Sequence, residues 1–427
     1  MKRILILTCQ PPPAQGVQSI RYAKLSAPLK ELGWEVHFLG PDPNEISVRL
    51  LPRSLFMEPF IGHYIQGLNL RHLASVRRRQ TKGMKNLLWV IVQVLAVVGL
   101  KLKILDDHES KAEYHIFSKM DQDVDRLKFD LIAGIQPNFF YLSAASDLAK
   151  KYDVPFVAIF DDPYGHRSVD GFTPAKKKNQ AEILNHASQV VFASHLTMIR
   201  YQQLFHLSDS KVSYISDSFI ATQGNDNFVE EALLERNVNE VLITHLGDLS
   251  EWRPIEPLIA AIRNINAVGK TRVSFDNFGY MYSNAKAEIK NDPDLNCCVN
   301  ISSSLSYVES HKMALYTDCL LVVVGPRHVD NVPSKLYEYL SAKKPILLLS
   351  PPQNPARELI ESLAIGVWAD VSSRESILEA LEVVILKIAD FERQYKVNRD
   401  RVDKFEASRV AEIWSEKFGK AILGCEK

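Results

Sequence analysis

The sequence lacks an excess of charge of either sign: 51 basic residues face 51 acidic ones, a formal net charge of zero. With no overall field, nothing in the composition draws the chain to nucleic acid, and a polynucleotide partner would need a local basic patch. Cysteine is also scarce. The five present, Cys9, Cys297, Cys298, Cys319 and Cys425, are odd in number and lack the paired spacings of a zinc site or a disulfide framework, which fits a reducing compartment. No apolar run reaches the roughly 20 residues that a membrane-crossing helix needs. The opening MKRILILTCQPPP has a charged start, but its apolar run is short and ends without a small-residue cleavage pattern. It reads as a first buried strand.

What is there is globular: 46% hydrophobic and 24% charged residues. At 427 residues the chain is too long for one ordinary core, and domains of about 150 residues predict two or three of them, of which two is the expectation. Short apolar runs alternate with longer amphipathic stretches, a pattern of parallel strands joined by helical crossovers. The series occurs twice. Its first half has strands starting at Ile4, Val36, Leu131, Phe156, Val190 and Val212; its second half has strands starting at Val241, Val273, Cys297, Leu320, Pro345 and Gly366. Between them the text turns polar and loses periodicity. The expected organisation is an N-terminal Rossmann-like domain over 1–218, a linker over 219–240, a C-terminal Rossmann-like domain over 241–400, and a closing helical stretch over 401–427. Two such domains imply a ligand-binding cleft between them.

One segment breaks the pattern. Residues 71–105 carry Arg71, Arg77, Arg78, Arg79, Lys82 and Lys85 ahead of an apolar block from Leu87 to Leu100, with Lys101 and Lys103 behind it. Two readings stay open. A buried core helix is one; the other is a helix lying in an anionic leaflet without crossing it, with Arg77, Arg78, Arg79, Lys85 and Trp89 as membrane contacts.

The most informative stretch is VDNVPSKLYEYLSAKKPILLL, from Val329 to Leu349, which reads as loop, helix and buried strand. Pro333 is expected at the first helical turn, leaving the amides of Ser334 and Lys335 without intrahelical acceptors and suited to a phosphate. Lys335 adds a cation. Glu338, one turn on, is placed to accept from the adjacent hydroxyls of a ribose, and Asp330 to hold another hydroxyl. The alternative is that Asp330 and Ser334 cap the helix and Glu338 is merely solvated.

DNVPSKLYEYLSAKKPIL resembles the donor-site motif of family 4 glycosyltransferases, retaining enzymes of the two-Rossmann GT-B fold in which two glutamates stand eight positions apart. The resemblance makes Glu338 the ribose-binding second glutamate. It puts Asp330, one methylene shorter, at the first, which touches sugar hydroxyls and stabilises the reacting centre. THLGDLSEWRPIEPLIAAIRNI looks like the family's strand, glycine turn and helix, with Gly247 at the glycine, Arg253 at the usual lysine and Asp248 at the usual arginine. The pyrophosphate would then rest on Arg253, Lys335 and helix amides, Arg253 gripping two oxygens at once. Arg253 can equally be an exposed residue at a helix start.

The N-terminal half resembles the family's opening strand, glycine loop and first helix, with Gly16 standing where a glycine pair is usual. After the strand at Phe156 come Asp161, Asp162 and His166, where a carboxylate can orient an acceptor hydroxyl, or where Asp162 before Pro163 simply starts a turn. Two other leads are weaker. DQDVD at Asp121 imitates a metal-binding motif but precedes a strand rather than following one, and His195 after Ser194 reads as a helix-start residue. The resemblance implies no metal or other cofactor.

The expected activity is transfer of a sugar from a nucleotide diphosphate donor to an acceptor hydroxyl with retention, on the cytoplasmic side, with a glycan or lipid-linked acceptor if 71–105 meets a membrane. Such an acceptor suits cell-envelope or surface-polysaccharide synthesis. The alternatives are a catalytically silent GT-B subunit, a nucleotide-sugar epimerase and a membrane-recruited carbohydrate-binding module.

Overall fold

The computed structural model describes residues 1–47, 49–51, 60–65, 87–88, 90–92, 94, 127–136, 139–162, 174–221, 240–269 and 271–424. Arg77, Arg78, Arg79, Lys85, Trp89, Asp121, His166 and most of the expected linker lie outside them. The chain divides into two compact units, Met1–Ser216 with Ala407–Lys427, and Asp217–Glu406.

The first unit holds seven parallel strands: β1 (Lys2–Leu7), β2 (Trp34–Pro41), β3 (Phe60–Ile65), β4 (Leu131–Gln136), β5 (Phe156–Phe160), β6 (Gln189–Phe192) and β7 (Val212–Tyr214), in the order β3-β2-β1-β4-β5-β6-β7. All six residues of β4 and all five of β5 are buried, and apart from Gln136 at the end of β4 they are apolar, as strands covered on both faces by helices must be. The β3 strand is a departure from the expected set. It pairs with β2 from Val36↔Phe60 to Pro41↔Ile65 at the sheet's edge. FIGHYI carries a glycine and a histidine, and Ile61 is exposed, because an edge strand need not be apolar on both faces.

The helix Val17–Glu31 follows β1 and stops before Gly33, whose φ of +88° only glycine adopts readily. The last helix, Ala407–Leu423, belongs to this unit: Tyr22 meets Trp414 edge-on at 6.1 Å, Trp34 meets Phe418 at 5.4 Å, and Trp34 Nε1 donates to Ser415 Oγ at 2.9 Å. Burying Trp414 and Phe418 contributes about 1.5–3 kcal/mol each. His195 begins a helix capped by Ser194, whose Oγ accepts from Thr197 N.

The second unit has six parallel strands: β8 (Glu240–Leu246), β9 (Arg272–Phe278), β10 (Val299–Ser302), β11 (Cys319–Val323), β12 (Ile346–Ser350) and β13 (Gly366–Asp370), ordered β10-β9-β8-β11-β12-β13. The two-residue strand period divides its core between the faces. Leu321, Val323, Leu347 and Leu349 pack on one side, and Leu320, Val322, Ile346 and Leu348 on the other.

Each unit is therefore a Rossmann-like domain whose strand order reverses beside its first strand, at β1/β4 and at β8/β11. Loops leaving the carboxyl ends of strands diverge at such a point and leave room for a ligand. No helix among the described residues is long and apolar enough to cross a membrane, and no group of three or more His, Cys, Asp and Glu among them could hold a metal ion.

Candidate functional site

In the second unit the reversal point gathers the residues singled out in the sequence. Gly247 follows β8 with φ +141°, a conformation L side chains rarely adopt, and a β-carbon built on it would overlap Lys335 Nζ. The ammonium is thus seated on the glycine's open face. It is placed there by the helix Ser334–Leu340, which Tyr339 locks to the strand: Leu246 N donates to Tyr339 OH at 3.1 Å. Pro333 is this helix's N-cap rather than part of its first turn, so Ser334 and Lys335 are its first two residues.

Asp248, where the resemblance has an arginine, ties two loops together. Its Oδ1 accepts from Tyr280 N at 2.8 Å, and Leu249 N donates to Tyr280 O at 2.7 Å. Gly279, at φ +157°, permits this approach, since a side chain there would strike Gly247 O. Arg253 bends back over the same turn, its Nη1 donating to Asp248 O at 3.0 Å. Gly325, just past β11, lets the 250–253 turn come close, because a β-carbon at 325 would overlap Trp252 O; Arg327 then stacks on the Trp252 ring.

Two cations share this corner with one carboxylate, Asp248, which opposes the lowering of both. Burial, then Arg253, pushes the Lys335 ammonium down to about 8, with Asp248 opposing. Burial likewise lowers Arg253. Among the described residues neither cation forms an ion pair with a carboxylate. His245 on β8 was not singled out in the sequence, yet it is 2% exposed and its Nδ1–H donates to Leu321 O at 2.9 Å. Burial, together with Lys335 and Arg253, holds its imidazole well below the usual range, so it stays neutral.

Glu338, on the same short helix, meets two residues that sequence reasoning missed. Tyr307 OH donates to Glu338 Oε2 at 3.0 Å, and His311 Nε2 lies 3.5 Å from the same oxygen. Asp330 is 5% exposed. The loop carrying it is held by Asn354, whose Nδ2 donates to the carbonyls of Val329 at 3.0 Å, Asn331 at 3.1 Å and His328 at 3.3 Å.

A second cluster sits at the strand ends of the first unit. Thr8 Oγ1 donates to Gln18 Oε1 at 2.8 Å, and Gln18 Nε2 to Gln136 O at 3.0 Å, joining β1, the Val17–Glu31 helix and β4. Gly16 is that helix's N-cap, and a β-carbon there would overlap Gln10 Oε1. Asp161, past β5, accepts at Oδ1 from Arg21 Nη1 at 2.5 Å and Tyr22 OH at 2.7 Å, while Oδ2 is buried with no hydrogen-bond partner. Burial raises its carboxyl above the usual range, with Arg21 and Tyr22 opposing. Asp162 is half-buried beside it. Burial pushes the neighbouring Cys9 thiol up to about 11, away from thiolate chemistry.

No family model matches the chain, and no curated protein matches it. Solved structures do. The chain is similar to sucrose-phosphate synthase from Thermosynechococcus elongatus (TM-score 0.65, 12% identity, 98% of each chain covered). It is similar to Anabaena Alr3699/HepE in complex with UDP (TM-score 0.63, 12% identity, 98% of this chain and 100% of that one). It is also similar to WaaG, a glycosyltransferase involved in lipopolysaccharide biosynthesis (TM-score 0.58, 10% identity, 97% and 99% covered). At such identity the likeness extends to the fold, which is GT-B.

Proposed function

We propose that this protein is a glycosyltransferase that takes a sugar from a nucleotide diphosphate donor and passes it to an acceptor hydroxyl. The observation that carries the reading is the Gly247–Lys335–Arg253 corner: two cations facing one carboxylate, Asp248, and in no salt bridge among the described residues, at the carboxyl ends of β8 and β11, with the backbone stripped of side chain where the ammonium lies. Such a corner suits a diphosphate, whose two negative charges grow as the sugar departs. The first amides of the Ser334–Leu340 helix add donors, and Glu338 is placed to accept from ribose hydroxyls. Further support comes from similar folds that hold UDP and UDP-glucose.

On this reading the leaving diphosphate is neutralised by Arg253, Lys335 and main-chain amides, and no metal is assigned. The resemblance to family 4 enzymes favours retention, by a front-face route in which the leaving phosphate helps take the acceptor's proton. Asp330 stands at the position of the sugar-contacting acid. Asp161 is assigned a catalytic role, orienting the acceptor hydroxyl, Asp162 and His166 the acceptor side, and Gly16 nucleotide-sugar binding through close approach of the backbone.

The acceptor is proposed to be a glycan or lipid-linked sugar at the cytoplasmic face of a membrane. The cations of 71–85 support this, as do Leu87, Leu88, Ile91 and Val94, which are exposed although apolar. Glutamine at Arg77, Arg78 and Arg79 should release the protein from vesicles containing phosphatidylserine; undiminished binding removes the membrane part of the reading.

The donor part is tested by calorimetric titration of purified protein with UDP, GDP and ADP. Binding by one of them, weakened about a hundredfold by Lys335→Ala or Arg253→Ala, is expected. Binding that ignores both substitutions overturns it. Sugar transfer that requires added acceptor separates a transferase from an epimerase.

A further inference from the structure

Past β10 the chain turns into the helix Tyr307–Tyr316, whose start is fixed by a reciprocal cap: Glu309 N donates to Ser306 Oγ at 3.3 Å and Ser306 N donates to Glu309 Oε2 at 2.7 Å. With the first turn set, Tyr307 and His311 fall one turn apart on the same side, their ring centroids 4.4 Å from each other. His311 Nδ1 lies 3.2 Å from Tyr307 O, and only a protonated Nδ1 bonds a carbonyl, so the ring is oriented from within its own helix. Both side chains converge on one atom, Glu338 Oε2, from 31 residues away for Tyr307.

The Tyr307 phenol is 93% withdrawn from solvent as a residue, being 7% exposed, and burial together with the Glu338 charge pushes it far above its ordinary range. It therefore stays a donor at any working pH. His311 Nε2 lies 3.5 Å from the same Glu338 oxygen without a hydrogen bond, so His311 acts through its ring, packed on the Tyr307 ring at 4.4 Å. A glutamate side chain has several staggered rotamers, and the Tyr307 hydrogen bond to Oε2 favours one of them.

We infer that Tyr307, seated against the His311 ring, is a positioning residue for Glu338: by donating to Oε2 it orients the carboxylate, and so sets how well the protein distinguishes a ribonucleotide from a deoxyribonucleotide. This rests on the nucleotide-sugar reading. It goes beyond it in assigning discrimination at the sugar of the nucleotide to a second helix, Tyr307–Tyr316. The Tyr307 donor favours the orientation in which the carboxylate accepts from the ribose diol.

The test compares three probes by titration calorimetry: the tightest binder among UDP, GDP and ADP, its 2′-deoxy analogue, and inorganic pyrophosphate. Tyr307→Phe keeps the ring against His311 and removes only the donor. It should weaken the ribonucleotide about tenfold, leave pyrophosphate within about twofold, and shrink the ratio of ribonucleotide to deoxyribonucleotide affinity. His311→Gln should move the same ratio about threefold, and it decides the matter if Tyr307→Phe does not fold. In a Glu338→Gln background neither change should have further effect on the ratio. A ratio unchanged in both variants, or pyrophosphate binding falling in parallel, overturns the inference while leaving the nucleotide-sugar reading in place. Failure of the unaltered protein to bind any of the three nucleotides overturns both.

Discussion

Lys335 Nζ occupies the space that a β-carbon on residue 247 would need. The two are 88 positions apart in sequence, and the fold makes each the condition of the other's place. Gly247→Ala should therefore fail twice. A non-glycine residue at φ +141° costs about 1–3 kcal/mol, and the methyl group drives the ammonium off its seat. Thermal unfolding should show a lower Tm, and titration should show nucleoside diphosphate binding reduced to the level of Lys335→Ala. Adding Lys335→Ala to Gly247→Ala should return the steric share of the lost Tm and none of the backbone share.

The depressed ammonium gives a pH dependence with a definite sign. With Lys335 at about 8 in the folded chain and at 10.5 ordinarily, the folded state binds fewer protons than the unfolded state between those values. Stability should thus rise with pH across that window, and Lys335→Met should flatten the rise. Ligand binding runs the other way. A diphosphate favours the charged ammonium, so affinity should fall as pH rises through about 8, with proton uptake on binding above it. Calorimetry in buffers of differing ionisation enthalpy counts those protons. Wild type and Lys335→Met taking up equal numbers would contradict the assignment.

Asn354 has two jobs on opposite sides of its amide. Its Oδ1 caps the Pro355–Leu363 helix by accepting from Ala356 N at 2.9 Å, while its Nδ2 holds the carbonyls around Asp330. Asn354→Ala should cost about 2 kcal/mol in denaturant unfolding, about half of it from the cap. Asn354→Asp keeps the cap and turns an acceptor on three carbonyls. If Asp330 contacts the donor sugar, the aspartate variant should raise KM for the nucleotide sugar, or lower kcat, more than its stability loss explains.

Much of this was legible in the sequence because it is local. Unbroken apolar runs mark strands buried on both faces, and Gly247, Arg253, Lys335 and Glu338 lie in short phrases whose spacing follows from strand-to-helix turns. What escaped is what only the fold brings together. The β3 strand hides because an edge tolerates Gly62 and His63. Tyr307 and His311 belong to a helix that the Ser306 and Glu309 pair announces, yet no spacing tells that their tips reach Glu338. His245 looks like one more strand residue until its neighbours prove to be two cations. Asp248 was readable as a missing cation, whereas its carboxylate holds the Tyr280 amide.

The pair formed by Arg21 and Asp161 is buried on both sides, with side chains 11% and 7% exposed. Desolvation already lifts the Asp161 carboxyl, and Arg21 is the main charge that restrains it. Removing the guanidinium leaves an uncompensated carboxylate, so Arg21→Met should cost about 3–5 kcal/mol near neutral pH. The sign with pH follows from the direction of the shift. A carboxyl whose folded-state pKa lies above its unfolded value gives stability that is full below the unfolded value and is lost as pH rises through the folded one. The penalty of Arg21→Met should therefore shrink on acidification toward pH 4, where the carboxyl takes up a proton and no longer needs the guanidinium. Pairing it with Asp161→Asn should remove most of that pH dependence, because the amide leaves nothing to ionise. Urea unfolding of the single and double variants across this range measures the effect. A penalty that is flat with pH would mean that the Asp161 carboxylate finds its charge balance elsewhere.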